Sequence, residues 1–451
     1  MVTRAVFNPS RAQARPASHP ACPAPITTTS YFSGIGYHCS DPMKILVIGG
    51  GGREHALAWK LAQSSGVEVF AAPGNPGIAK LGTCLAASPL AAALAIGADL
   101  TVVGPEAPLV AGIVDEFRVR GLHIVGPAAK AAQLEGSKIF AKHFLTQRAI
   151  PTAGFVTAES PAEARRALGQ FQFPVVLKAD GLAAGKGVVI AHDLKEAEAA
   201  LGLLSGPLVI EEYLEGEEVS FIALCDGKTA LPLAATQDHK AAYDGDRGPN
   251  TGGMGAYSDS TILTEAEERD ILNRVIYPTV EATGFTGFLY AGLMMTATGP
   301  KVLEFNVRLG DPETQPLMHR MMTDFAQVLL AAAHGELDRL KLAWRDGPSV
   351  CVVLASGGYP GGYETGKPID GIDAAEATGA TVFHAGTKKR VTSLETAGGR
   401  VLGVTASGPD LAASIQNAYQ GVRAIHFEGM HYRTDIGAKG LRRYNKGIAG
   451  T

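Results

Sequence analysis

Glu304 and Asn306 stand two residues apart in Lys301-Val-Leu-Glu-Phe-Asn-Val-Arg308. Strand alternation puts Glu304, Asn306 and Arg308 on one face and sends Leu303, Phe305 and Val307 into the core. A carboxylate and an amide oxygen so paired are hard ligands suited to Mg²⁺, which prefers oxygen and shares its shell with phosphates. Arg308, beyond them, is placed to clamp an anion through two N–H groups. A half-exposed strand with a polar outer face has the same pattern, but the turn Gly310-Asp-Pro-Glu-Thr314 adds polar groups at the same end.

A second cluster is Lys178-Ala-Asp-Gly-Leu-Ala-Ala-Gly-Lys-Gly187. It is not a Walker loop, since only three residues separate Gly181 from Gly185, Gly187 replaces the Ser or Thr, and a strand follows instead of a helix. A Gly-rich hairpin between Lys178 and Lys186 suits a flap whose amides close over a triphosphate. A solvated surface hairpin explains the glycines equally well, but Lys178 ends the apolar strand Pro174-Val-Val-Leu177 and needs an anionic partner there. In Val209-Ile-Glu-Glu-Tyr-Leu214, followed by Glu217-Glu-Val219, hinge amides can read a purine edge and Glu218 can accept ribose hydroxyls. Solvent-facing acids look the same.

Ile48-Gly-Gly-Gly-Gly-Arg-Glu-His55 imitates a dinucleotide fingerprint and fails as one. Glu54 or His55 falls at the third glycine, and the next strand ends in Ala71-Ala-Pro73 with no acid for a ribose. The glycine turn still aims N–H groups at an anion, although a turn merely closing a β-α unit accounts for it as well.

The elements that position these residues are strands over 44–48, 67–71, 100–103 and 123–125, a helix over 53–63, and a helical stretch from 127 through 147. Strands alternating with helices predict an α/β fold with an N-terminal doubly wound parallel sheet, whose ligands gather at the strand C-termini. Past Pro151 come a hairpin over 174–191, a helix over 194–204, a strand over 208–212 and longer strands beyond. Strands at 350–354, 381–384 and 400–405 predict a last, partly antiparallel domain. The expected boundaries are 1–42, 43–146, 147–211, 212–340 and 341–451.

Composition agrees with small-molecule work. The 451 residues are 46% hydrophobic and 19% charged with net charge −4, so neither disorder nor electrostatic capture of nucleic acid or membrane is expected. The most apolar stretch, 85–103, is broken by Pro89, Gly97 and Asp99 and does not span a membrane. Five scattered cysteines in no C-x-x-C pair predict a reducing compartment, taken as the cytoplasm. Residues 1–42, with Arg4, Arg11 and Arg15 against Asp41, read as an unstructured leader. They are a targeting peptide or a product of an upstream start; prolines at 16, 20, 23 and 25 favour the second, with Met43 as the first residue.

Together the segments resemble the ATP-grasp superfamily and, within it, the phosphoribosylamine–glycine ligase family. The resemblance is carried by Gly51-Gly-Arg-Glu-His-Ala56, Val103-Gly-Pro-Glu106, Gln133-Leu-Glu-Gly-Ser-Lys138, 178–187, Gln237-Asp-His-Lys240, Gly248-Pro-Asn-Thr-Gly-Gly-Met-Gly255 and Glu304 to Gln315. It implies ATP-grasp central domains and a reaction in which ATP phosphorylates glycine and 5-phosphoribosylamine takes up the glycyl group. It also implies that Lys138, Lys178 and the turn Gly185, Lys186, Gly187 hold the ATP phosphates, that Glu211, Tyr213 and Leu214 receive adenine, and that Glu218 receives its ribose. Glu304 and Asn306 would bind Mg²⁺, with Mn²⁺ as an alternative. Gly51, Gly52, Arg53, Asn75 and Glu106 would face the ribose phosphate. Asn250, Thr251, Gly252 and Gly253 would line the substrate loop, and Arg308, Asp238 and Lys240 the reacting centre. Charge neutralisation and alignment would do most of the catalysis. A monomer is expected.

The chain departs from that pattern in shorter connections at 82–99 and 201–208, and in the strand Tyr290-Ala-Gly-Leu293, which offers no second acidic metal ligand. A formate-using transformylase, a ribonucleotide carboxylase, a nicotinamide oxidoreductase and a nucleotide sensor are the rivals. The loops at 237–240 and 249–257 favour the glycine ligase.

Overall fold

In the computed structural model, which describes residues 41–182, 187–204, 206–391 and 393–449, the strand Met43–Gly49 is the centre of a five-stranded parallel sheet. Gly185 and Lys186 lie outside the described residues. The sheet order is Thr83–Cys84, Val67–Pro73, Met43–Gly49, Leu100–Val103, Ile124–Val125. Ile45, Leu46, Val47 and Ile48 are all buried, as helices on both faces of a parallel sheet require. The order reverses between Met43–Gly49 and Leu100–Val103, and the loops after these strands open a crevice. The helical stretch expected through residue 147 consists of two helices, Ala129–Gly136 and Lys138–Gln147. Ser137 leaves the helical region and its hydroxyl accepts the Phe140 N–H.

A second, antiparallel sheet runs Phe155–Ala158, Leu208–Glu212, Val175–Ala179, Val188–Ala191. It has its own core, including Leu177, Ala197, Leu201 and Ile210, and forms a lid. The chain enters and leaves it at one place: the Glu212 N–H donates to the Gly154 carbonyl at 2.9 Å, and the Gly154 N–H to the Glu212 carboxylate at 3.0 Å.

The third sheet starts with Gly299–Asn306, Thr286–Thr296, Glu217–Asp226, Thr236–Asp238 and Gly255–Ser258. It continues into the C-terminal strands Ser349–Ala355, Arg400–Ser407 and Thr381–His384, with Gly255 opposite Val352. The sheet therefore carries strands from both sides of residue 340. Glu217–Asp226 is buried on both faces: Phe221 and Ala223 share a core with Leu46 and Phe70, whereas Ile222 and Leu224 share another with Ile45 and Phe325. These two cores fix the parallel sheet to the central one.

Arg433, 1% exposed, anchors the strand pair Ala241–Tyr243 and Arg247–Asn250, which leads into the loop 250–253. Its guanidinium donates to Asp246 at 2.9 Å, to Asp435 and to the Ala241 carbonyl. Arg433→Met leaves Asp435 without its cation, although Asp246 keeps Lys439 at 3.1 Å, and is expected to lower stability by about 2–4 kcal/mol. An unchanged urea midpoint would show that solvent already compensates these charges.

Candidate active site

Crevice, lid and central sheet enclose a cavity of about 510 Å³. At its apolar end Leu214, Met294 and Leu303 pack together with Ala153. Leu303 was expected in the core. In the sheet, Gly292 pairs with Glu304 but Leu293 pairs with Val302, so Leu303 is the extra residue of a bulge and turns to the cavity. Phe305 and Val307 are buried as the alternation requires, and Glu304 and Asn306 face the cavity.

The Lys178 ammonium, at the end of its lid strand, lies 3.0 Å from Glu211 Oε2 and donates to the Leu303 carbonyl at 2.9 Å. The anionic partner anticipated for it is thus partly internal. Lys142 lies 3.1 Å from Glu211 Oε1, so one buried carboxylate bridges two ammoniums. With its side chain so engaged, Glu211 has only its backbone to offer a purine. Lys138 donates to the Gly181 carbonyl at 2.7 Å, and Asp180 accepts from the Ser137 hydroxyl and the Ile139 N–H, which fastens the entrance of the Gly-rich hairpin to the helix Lys138–Gln147.

At the polar end Lys240 is 3.7 Å from both Glu218 and Glu304. Burial works to raise the Glu304 carboxyl, but Lys240, then Lys178, Arg308 and Lys138, hold it below its ordinary range. Burial pushes Asp238 up to about 7 against the pull of Lys240, with Glu313 and Glu218 adding to the rise. Glu304 and Asn306 fit a hard divalent cation: the pair is open to the cavity, and a Cβ at Gly292 would crowd Glu304 at 3.2 Å. No group of three His, Cys, Asp or Glu among the described residues forms a metal cluster, so such an ion would take its remaining ligands from phosphate and water.

Arg308 was expected to clamp an anion with two donors. Its fork is instead shared between carboxylates, Nη2 to Glu135 at 2.7 Å and Nε to Glu106 at 3.3 Å, because Glu135 on the neighbouring helix also accepts the Val307 N–H. The loop 250–253, expected to meet substrate, is held from the C-terminal part of the chain. Arg400 donates to the Gly252 carbonyl at 2.6 Å and pairs with Asp311, while the Tyr359 hydroxyl accepts the Gly252 N–H. Thr251 donates to the Lys240 carbonyl. Gly253, at φ +112°, has no room for a Cβ, which would meet Pro312 at 2.5 Å.

Lys138, Lys178, Gly187, Glu211, Tyr213, Leu214, Glu218, Asp238, Lys240, Asn250, Thr251, Gly252, Arg53, Glu106, Glu304, Asn306 and Arg308 therefore share one cavity. Gly51, Gly52, Asn75 and Gly253 do not line it. The Asn75 amide donates to the Gly50 and His384 carbonyls and accepts from Gly77 and Ile78, leaving it a structural bracket. The Gly51 N–H is taken by Glu54, whose carboxylate would meet a Cβ at Gly104 at 2.0 Å. Glu54 thus fills the gap between the two crevice strands that a dinucleotide pyrophosphate would need.

Sequence reasoning missed Lys142, Glu135, Glu313 and Arg400. Lys142 was within reach, being four residues after Lys138 and so on the same helix face. Glu135 lay inside a quoted motif without a role. Glu313 accepts the Tyr290 hydroxyl at 2.7 Å, a contact visible only once the strands pair.

An antiparallel lid over a sheet that presents a carboxylate and an amide, with lysines reaching across the gap, defines an ATP-grasp enzyme. Residues 43–135, 136–314 and 349–439 match the N domain, the ATP-grasp (A) domain and the C domain of phosphoribosylglycinamide synthetase. The chain belongs to that family. It is 50% identical over 424 residues to the phosphoribosylamine–glycine ligase of Pseudomonas aeruginosa, covering 89% of this chain and 99% of that one. To the Escherichia coli (strain K12) enzyme of the same name it is 49% identical over 433 residues, with the same coverage. The crystal structure of phosphoribosylamine–glycine ligase from Thermotoga maritima superposes with TM-score 0.77 at 36% identity, covering 87% of this chain and all of that one. The N5-carboxyaminoimidazole ribonucleotide synthetase of Thermotoga maritima (TM-score 0.60, 21% identity, 85% and 99% covered) shares the fold. As a family member the chain is an ATP-dependent carbon–nitrogen ligase of purine biosynthesis.

Proposed function

We propose that this cavity joins glycine to 5-phosphoribosylamine, driven by cleavage of ATP. A glycine carboxylate oxygen attacks the γ-phosphorus, the bond to the bridging oxygen breaks, and ADP leaves glycyl phosphate behind. The amine nitrogen then attacks the glycyl carbonyl carbon, phosphate departs, and the nitrogen loses a proton. Adenine rests on Leu214, Met294 and Leu303, with Glu218 on the ribose and Lys138, Lys178 and Gly187 at the phosphates. Glu304 and Asn306 hold Mg²⁺, or Mn²⁺, which when bound supplies neutralising charge to the phosphates. Arg53 and Glu106 face the ribose phosphate from the crevice, and Lys240 and Arg308 supply positive charge where the acyl phosphate meets the amine.

The observation that carries this reading is the convergence of Lys178 from the lid, Lys138 from the helix and the Glu304–Asn306 pair on one cavity that also opens to the crevice. Its test is ADP release with ATP, Mg²⁺ and fresh phosphoribosylamine, varying the acid among glycine, formate and bicarbonate. Turnover with glycine alone is expected; turnover with formate or bicarbonate instead would move the substrate assignment. Cys84, Cys225 and Cys351 are free thiols, and among the described residues no helix is long and apolar enough to cross a membrane.

Asp238 is the proton acceptor for the attacking amine. With its carboxyl raised to about 7, it is protonated and inactive at low pH and gains the capacity to accept as pH rises. Amide formation in single turnover should therefore climb between pH 6 and 8. Asp238→Asn should lose roughly 10²-fold in rate and flatten that climb. A variant that keeps the wild-type profile would assign the titration to another group.

A further inference from the structure

We infer that Lys142 is a positioning residue that keeps the Lys178 ammonium electrically available to the ATP phosphates, by taking up half of Glu211. The inference rests on the assignment of Lys178 to those phosphates.

The Glu211 carboxylate is 1% exposed as a residue and gives Oε2 to Lys178 at 3.0 Å and Oε1 to Lys142 at 3.1 Å. Lys142 is itself 3% exposed; its ammonium also donates to the Thr152 hydroxyl at 2.6 Å and sits 5.5 Å from the centre of the Phe155 ring. Burial lowers it to about 8, against the pull of Glu211 and with Lys178 adding to the fall, so it remains mostly charged at neutral pH.

Burying a second ammonium is costly, and a Lys178–Glu211 pair alone would already be neutral. Such a pair would offer an incoming triphosphate a dipole, whose attraction fades faster with distance than that of a charge. Two ammoniums around one carboxylate carry a net single positive charge, and Lys178 is the member at the strand end facing the Gly-rich hairpin. Lys142 thereby supplies through Glu211 the charge that the nucleotide meets at Lys178. The same network joins three bodies: Lys142 on the helix, Glu211 and Lys178 on the lid, and the Leu303 carbonyl on the central sheet.

The test measures ATP and adenosine affinity of the full chain by calorimetry, for the wild type, Lys142→Met, Lys178→Met and the double variant Lys142→Met with Glu211→Gln. Lys142→Met should weaken ATP roughly tenfold and leave adenosine nearly unchanged, which also verifies the fold of the purine seat. The double variant returns one uncompensated ammonium at Lys178, so its ATP affinity should recover to within about threefold of wild type. A packing role for Lys142 predicts the reverse, because the double variant removes both bridging contacts. Unchanged ATP affinity in Lys142→Met, or a double variant as weak as the single, overturns the inference. Unchanged ATP affinity in Lys178→Met would overturn the nucleotide assignment beneath it.

Discussion

Glu304→Gln combined with Asn306→Ala should lower glycine-dependent ADP formation by at least about 10³-fold while the fold persists, because the proposed Mg²⁺ loses both of its protein ligands. Both side chains project from Gly299–Asn306 into the cavity, and the buried face of that strand, Val302 and Phe305, is untouched. Glu304 is also a partner of Lys240, so its change frees Lys240 to settle on Glu218. Asn306 makes the discriminating single variant, since no ion pair depends on it: Asn306→Ala alone should raise the Mg²⁺ concentration for half-maximal turnover. Near-normal activity of the double variant at saturating Mg²⁺ would remove the metal assignment.

Lys178→Met should cost roughly 10²-fold in kcat/KM for ATP and leave the affinity for a stable phosphoribosylamine analogue, measured without nucleotide, nearly unchanged. Methionine keeps the stem that fills the end of Val175–Ala179, and Glu211 retains Lys142, so a neutral pair stays buried. The loss should deepen toward the transition state as charge shifts onto the transferred phosphoryl group. If the analogue bound poorly and ATP bound normally, the two substrate pockets would have to be exchanged.

The strands and the sites on them were legible where a single element carries the pattern. Glu304 and Asn306 follow from alternation within one strand, and Lys178 from a charge closing an apolar run. The errors arose where a partner strand or helix decides the outcome. Leu303 changes face because its neighbour strand runs one residue short, which no pattern within 301–308 encodes. Arg308 is bracketed by Glu135 and Glu106, which lie 173 and 202 residues earlier in the chain. Asn75 resembles a ligand-binding asparagine until Gly50 and His384 claim its amide. Glu54, which disqualified the dinucleotide fingerprint on spacing alone, proves to be what fills that space.

The lid is a page bound along one spine at Gly154 and Glu212 and clasped again at its cavity edge, where Asp180, Gly181, Glu211 and Lys178 reach the helix Lys138–Gln147 and the central sheet. Its apolar interior is its own, so those polar clasps could part while the cores that join crevice and sheet stay packed.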